Sequence, residues 1–79
     1  MTEPTWENRI EVNPQVMTGK PVIRGTRIPV ELLVRMVAQG IERAEILAEY
    51  PRLEAADIQA ALMYAAHVVA QEDILPLMS

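Results

Sequence analysis

The sequence predicts an α+β fold, mostly α, in which a short N-terminal β-ribbon precedes three helices. Three observations predict it. Apolar and polar residues alternate before Pro29, apolar residues recur at helical spacing after it, and glycine or proline marks most changes of element. The 79 residues suffice for one domain. A chain this short buries only about 60% of its unfolded surface, so it gains from a partner or from self-association.

Residues 1–8 are polar, hold Pro4 and show no periodicity, which predicts a loose arm with Trp6 as an apolar handle. The domain is expected over 9–73, with the ribbon at 9–28 and an apolar tail at 74–79. "RIEV", Arg9 to Val12, reads as a short strand, and Asn13-Pro14 opens a loop. In "PVIRGTRI" two extended pieces flank Gly25-Thr26. Glycine at the first central position suits a type II′ hairpin. Such a hairpin sets Arg24 against Arg27 on one face and Ile23 against Ile28 on the other. A bend without a hairpin is the alternative, since Pro21 and Pro29 limit any ladder.

Pro29 suits the first position of a helix over about 30–39, with Val30, Leu33, Val34 and Val37 as its stripe and Gly40 as its stop. Glu31 and Arg35 form an i,i+4 pair on it. A short helix over 43–49 buries Ile46 and Leu47 and ends before Pro51. The third helix, about 55–71, has Ile58, Ala61, Leu62, Ala65, Val68 and Val69 as its core stripe. Glu42 with Glu45, and Glu54 with Asp57, resemble weak capping boxes at the two later starts. The far side of the third helix carries Met63, Ala66, His67 and Ala70 and is nearly uncharged. A helix apolar all round needs cover all round, so those residues, with Ile74, Leu75 and Leu77 of the tail, are the expected protein interface.

Charge narrows the partners. The net charge of -4 divides into about +1 over residues 1–29 and about -5 over residues 30–79. Only the ribbon is expected to attract a phosphate backbone, through Lys20, Arg24 and Arg27 around Gly25 and Thr26. Those cations fit carboxylates of a protein partner equally well. The chain lacks cysteine, which removes disulfides and thiolate metal sites and fits a reducing cytoplasm. Its longest apolar run falls far below the ~20 residues that span a bilayer, and "MTEPTWEN" lacks signal-peptide features, so a cytoplasmic location without membrane partners is expected.

Chemistry-bearing motifs are sparse. "TGKP" lacks the leading glycine of a phosphate loop and has proline after the lysine. His67 is the single histidine, no Ser/His/Asp or Cys/His set exists, and the acids of the helical part read as solvated. No enzyme, cofactor or metal is expected. The second helix, the Tyr50–Leu53 turn and the third helix have helix-turn-helix lengths. The third helix opens with Glu54, Ala55, Ala56, Asp57, Gln59 and Ala60, without a basic residue, which disfavours base reading by it.

"GKPVIRGTRIPV", then a helix, Gly40 and "AEILAEYPRLEAADIQAALMYAA" resemble the bacterial family called domain of unknown function 433, over about Arg9 to Val69. The match includes Gly19, Ile23, Ile46, Tyr50, Pro51, Leu53, Asp57, Ile58, Leu62 and Tyr64. The resemblance implies a small winged or homeodomain-like helix-turn-helix fold. It also implies the antitoxin of a type II pair, which binds a PIN-like ribonuclease toxin and represses its own operator DNA. Thr18 stands where a second glycine is usual, and Glu42 and Glu54 where Ser or Thr caps are usual. The added negative charge weakens the expectation for DNA more than that for the toxin. A homodimer is expected, and a stand-alone DNA regulator or a dimeric interaction module are the alternatives.

Overall fold

The computed structural model describes residues 6–15 and 19–71. Two strands, β1 (Ile10–Val12) and β2 (Pro21–Ile23), precede α1 (Val30–Ala38), α2 (Arg43–Glu49) and α3 (Ala55–Gln71). The fold is a small, mostly helical α+β arrangement, an antiparallel strand pair followed by three helices. No helix among the described residues is long and apolar enough to cross a membrane.

β1 and β2 pair in the register Ile10↔Ile23, Glu11↔Val22 and Val12↔Pro21. That register points Ile10 and Ile23 to the helices, where they join Val30, Leu33, Ile46, Leu53 and Ile58 in one core. Asn13 Oδ1 accepts the Gln15 backbone N–H at 2.8 Å, the Asx turn that Asn-Pro favours.

The turn after β2 lies one residue earlier than the type II′ expectation. The Thr26 N–H donates to the Ile23 carbonyl at 2.9 Å, so Arg24 and Gly25 are its central residues. Gly25 has φ +82°, as the second central position of a type II turn requires. The Thr26 hydroxyl donates to the Ile23 carbonyl at 2.7 Å and accepts the Ile28 N–H at 3.0 Å, which locks the bend. Beyond it the chain makes only an isolated bridge, Val22↔Pro29. Ile28 meets the β2 edge that β1 leaves free, where the Ile23 N–H donates to its carbonyl at 2.9 Å. Its own N–H turns to the Thr26 hydroxyl and Pro29 has no N–H, so the ladder stops there and no Gly25–Thr26 hairpin forms. Gly25→Ala meets no atom within 4 Å, so its whole cost is the left-handed backbone. It is expected to lower stability by about 1–2 kcal/mol without altering the fold, as chemical denaturation will measure.

α1 follows Pro29, which is extended at φ -69° and ψ 142° and flanks the helix instead of opening it. Its end is a Schellman motif: the Gly40 N–H reaches the Val37 carbonyl at 3.0 Å and the Ile41 N–H reaches Met36 at 3.1 Å, with Gly40 at φ +88°. Glu42 makes no side-chain cap bond to α2. At α3 half of the expected box forms, because Asp57 Oδ2 accepts the Glu54 N–H at 2.8 Å.

Trp6 closes the other side. The N–H groups of Arg9 and Ile10 both donate to its carbonyl at 2.9 Å, and its ring meets Tyr64 edge-on with centroids 4.9 Å apart. Residues 6–8 of the expected arm are therefore part of the packed domain, and residues 1–5 lie outside those described.

Candidate functional site

Arginines gather around the Ile23–Thr26 turn and the first turn of α3. The Arg24 guanidinium folds back on the segment that leads into β1, donating to the carbonyls of Asn8 at 3.1 Å, Ile10 at 3.3 Å and Glu7 at 3.4 Å. Arg52, in the turn before α3, donates to the Gly25 carbonyl at 3.0 Å. All four acceptors are neutral, so both guanidinium groups are held in place without a direct ion pair among the described residues. Glu54 and Asp57 line a recess with both of them, and Glu11 lines one with Arg52. Arg27 is exposed and has no hydrogen-bond partner among the described residues. It does not face Arg24 across a hairpin, as expected from the sequence; Arg52 stands between them, lining a recess of about 380 Å³ with Arg27 and another of about 540 Å³ with Arg24.

Two further arginines extend this face. Arg9 donates to Asp57 Oδ1 at 3.0 Å and to Glu54 Oε1 at 3.1 Å. The hydrogen bond to Asp57, followed by that to Glu54, raises the Arg9 pKa above its ordinary value. Asp57 is buried, which overturns the reading of every helical acid as solvated. It is tolerated because one oxygen meets Arg9 and the other the Glu54 N–H, leaving no buried side-chain polar atom unpartnered among the described residues. Arg43, at the start of α2, donates to Gln59 Oε1 at 3.3 Å, one helical turn along from Ala56 of the larger recess.

Residues 30–79 thus contribute Arg43 and Arg52 to the face that holds Arg24 and Arg27. The start of α3, without basic residues of its own, lies among basic residues from four other segments. Lys20 is not among them: its Nζ lies 3.7 Å from Glu31 Oε1 on α1. Arg9, Arg43 and Arg52 are the members that sequence reasoning missed. Their partners lie 48, 16 and 27 residues away, beyond the reach of any local periodicity. No group of three or more His, Cys, Asp or Glu side chains able to hold a metal ion occurs among the described residues.

A second surface is apolar. α3 has 17 residues and α1 only 9, about 25 Å against about 13 Å at 1.5 Å per residue, so α3 outruns its cover. Val68 and Val69, expected in the core stripe, are 38% and 55% exposed. With Val30, Val34 and Ala38 of α1 and Ala65 of α3 they line an open groove of about 390 Å³. The expected interface residues lie on the other side of α3: Met63 is half-buried, Ala66 and Ala70 are exposed, and His67 lies against Trp6 with ring centroids 5.2 Å apart. Ile74, Leu75 and Leu77 fall outside the described residues.

Similarity to known proteins covers most of the chain. Residues 10–65 match the family model described as protein of unknown function, DUF433. Uncharacterized protein y4eO of Sinorhizobium fredii is 40% identical over 53 residues, 67% of this chain and 24% of that protein. An uncharacterized protein of Archaeoglobus fulgidus is 61% identical over 28 residues, 35% of this chain and 78% of that one. The crystal structure of a DUF433 member from Anabaena variabilis superposes with a TM-score of 0.75 at 43% identity, covering 82% of this chain and 64% of the other. The chain therefore spans about a quarter of the rhizobial relative and less than two thirds of the cyanobacterial one.

Proposed function

The chain belongs to the DUF433 family, and from that premise we propose that it is a binding protein, the antitoxin of a type II toxin–antitoxin pair. In this reading it contacts operator DNA through the arginine face and a PIN-like ribonuclease through the exposed side of α3, as a cytoplasmic protein without a catalytic role of its own. α2, the Tyr50–Leu53 turn and α3 act as a helix-turn-helix, with Gln59 as the side chain that meets base edges.

The observation that carries the DNA half is the pair Arg24 and Arg52. Each is held by neutral backbone carbonyls, so neither guanidinium is ion-paired among the described residues, and with Arg9 they outnumber Glu54 and Asp57 three to two in the recess at the start of α3. Phosphate contacts of this kind position a protein on a duplex and set its register. Arg27 and Arg43 extend the same charge along the face. Glu54 and Asp57, the acids that argued against DNA from the sequence, are both engaged by Arg9. Arg9 cancels one of these two carboxylate charges and so reduces the repulsion expected between α3 and a phosphate backbone.

The ribonuclease half rests on the family resemblance and on the nearly uncharged side of α3 carrying Met63, Ala66 and Ala70. The test is affinity capture of the tagged protein from its native cells, with and without nuclease treatment, read by mass spectrometry. A small ribonuclease recovered in both preparations is the expected result. Recovery of operator DNA alone replaces the antitoxin reading with that of a stand-alone regulator; recovery of the protein by itself removes both.

A further inference from the structure

We infer that the apolar groove between α1 and α3 is the contact between two copies of this chain, related by a two-fold axis. The argument does not depend on the DNA or ribonuclease readings, whose residues lie elsewhere on the surface.

Shape comes first. One patch holds both small and exposed apolar residues: Val34, Ala38, Ala65, Val68 and Val69 line the groove together, and Val68 and Val69 are its exposed large members. A two-fold contact requires such a self-complementary patch, because each copy must supply both the knob and the hole. Val69 of one copy then enters the groove of the other.

Charge selects a second copy over a foreign partner. The groove carries two charged side chains, Glu31 and Arg35, one helical turn apart on α1 and ion-paired with each other within the chain, so the pair presents one charge of each sign. A two-fold axis between them sets Glu31 of each copy against Arg35 of the other, so both ends of the contact are attractive. A partner of acidic or basic character would instead meet an unfavourable charge at one of the two positions. Size adds a reason, since a 79-residue chain buries too little of its own surface to be more than marginally stable alone.

Reversing one charge at a time tests this contact. Glu31→Arg presents two bases to the two bases of a second copy, and Arg35→Glu presents two acids to two acids. An equimolar mixture of the two variants restores opposite charges at both positions. Lys20, which also approaches Glu31, is unchanged in both variants, so the comparison isolates positions 31 and 35. Light scattering on the full chain is expected to give twice 8.9 kDa for the wild type, 8.9 kDa for each variant alone and twice that mass again for the mixture. Val69→Ser, at an exposed position that the core does not need, is expected to give the single-chain mass with unchanged circular dichroism. A wild type that stays at the single-chain mass at every concentration overturns the inference. So does a doubled mass that survives Val69→Ser and both reversals, or a mixture that stays single.

Discussion

Leu33→Ala is expected to be the most destabilising single substitution of a core side chain, lowering the unfolding midpoint by at least about 10 °C. Leu33 is fully buried near the middle of α1, the helix that packs on both β2 and α3, and belongs to the core cluster. Truncating such a leucine costs about 2–5 kcal/mol, the lost transfer energy plus the cavity left behind. A domain of this size has only about 4–12 kcal/mol to lose, at 0.05–0.15 kcal/mol per residue. Each kcal/mol shifts the midpoint by about 4–8 °C in a domain this small. The helical preference of alanine returns at most a few tenths of a kcal/mol. Thermal unfolding followed by circular dichroism measures the shift, at fixed concentration because self-association makes the midpoint concentration-dependent.

The second large effect is on binding. Replacing Arg27 and Arg52 together with alanine is expected to weaken duplex DNA binding on the order of tenfold or more and to flatten its salt dependence by about two in slope. These two are chosen over Arg24 because they hold the fold least. Arg27 has no hydrogen-bond partner among the described residues and Arg52 has one, whereas Arg24 ties the turn to the carbonyls of Glu7, Asn8 and Ile10. Fluorescence anisotropy over a range of salt concentrations reads both quantities. An unchanged salt slope would place the phosphates elsewhere on the surface.

The helices were legible in the sequence because their signals are local. The third and second helices have the expected bounds, and the first ends one residue before Gln39, where Gly40 adopts the left-handed backbone that closes a Schellman motif. The β-ribbon was less legible. Gly25 fits either central position of a tight turn, and Thr26 decides between them, its hydroxyl bonding the Ile23 carbonyl and the Ile28 N–H so that Ile28 keeps a single backbone contact to Ile23. The helical period was also right for Val68 and Val69, but nothing in the period says that the opposing helix stops after 9 residues. Least legible was the ion pair of Arg9 with Asp57. It makes an acid of the third helix a buried structural element, and it changes the electrostatics of the face on which DNA binding was judged.

The central claim is that DNA docks where Arg24, Arg27, Arg43 and Arg52 converge around the start of α3. Nuclear magnetic resonance of the labelled full chain, titrated with a duplex from the region upstream of its own coding sequence, tests that placement most directly. The account predicts shift changes concentrated at residues 24–27, 43 and 52–59, with Val34, Val68 and Val69 undisturbed. Changes confined to the α1–α3 groove, or no saturable change at low salt, would contradict it.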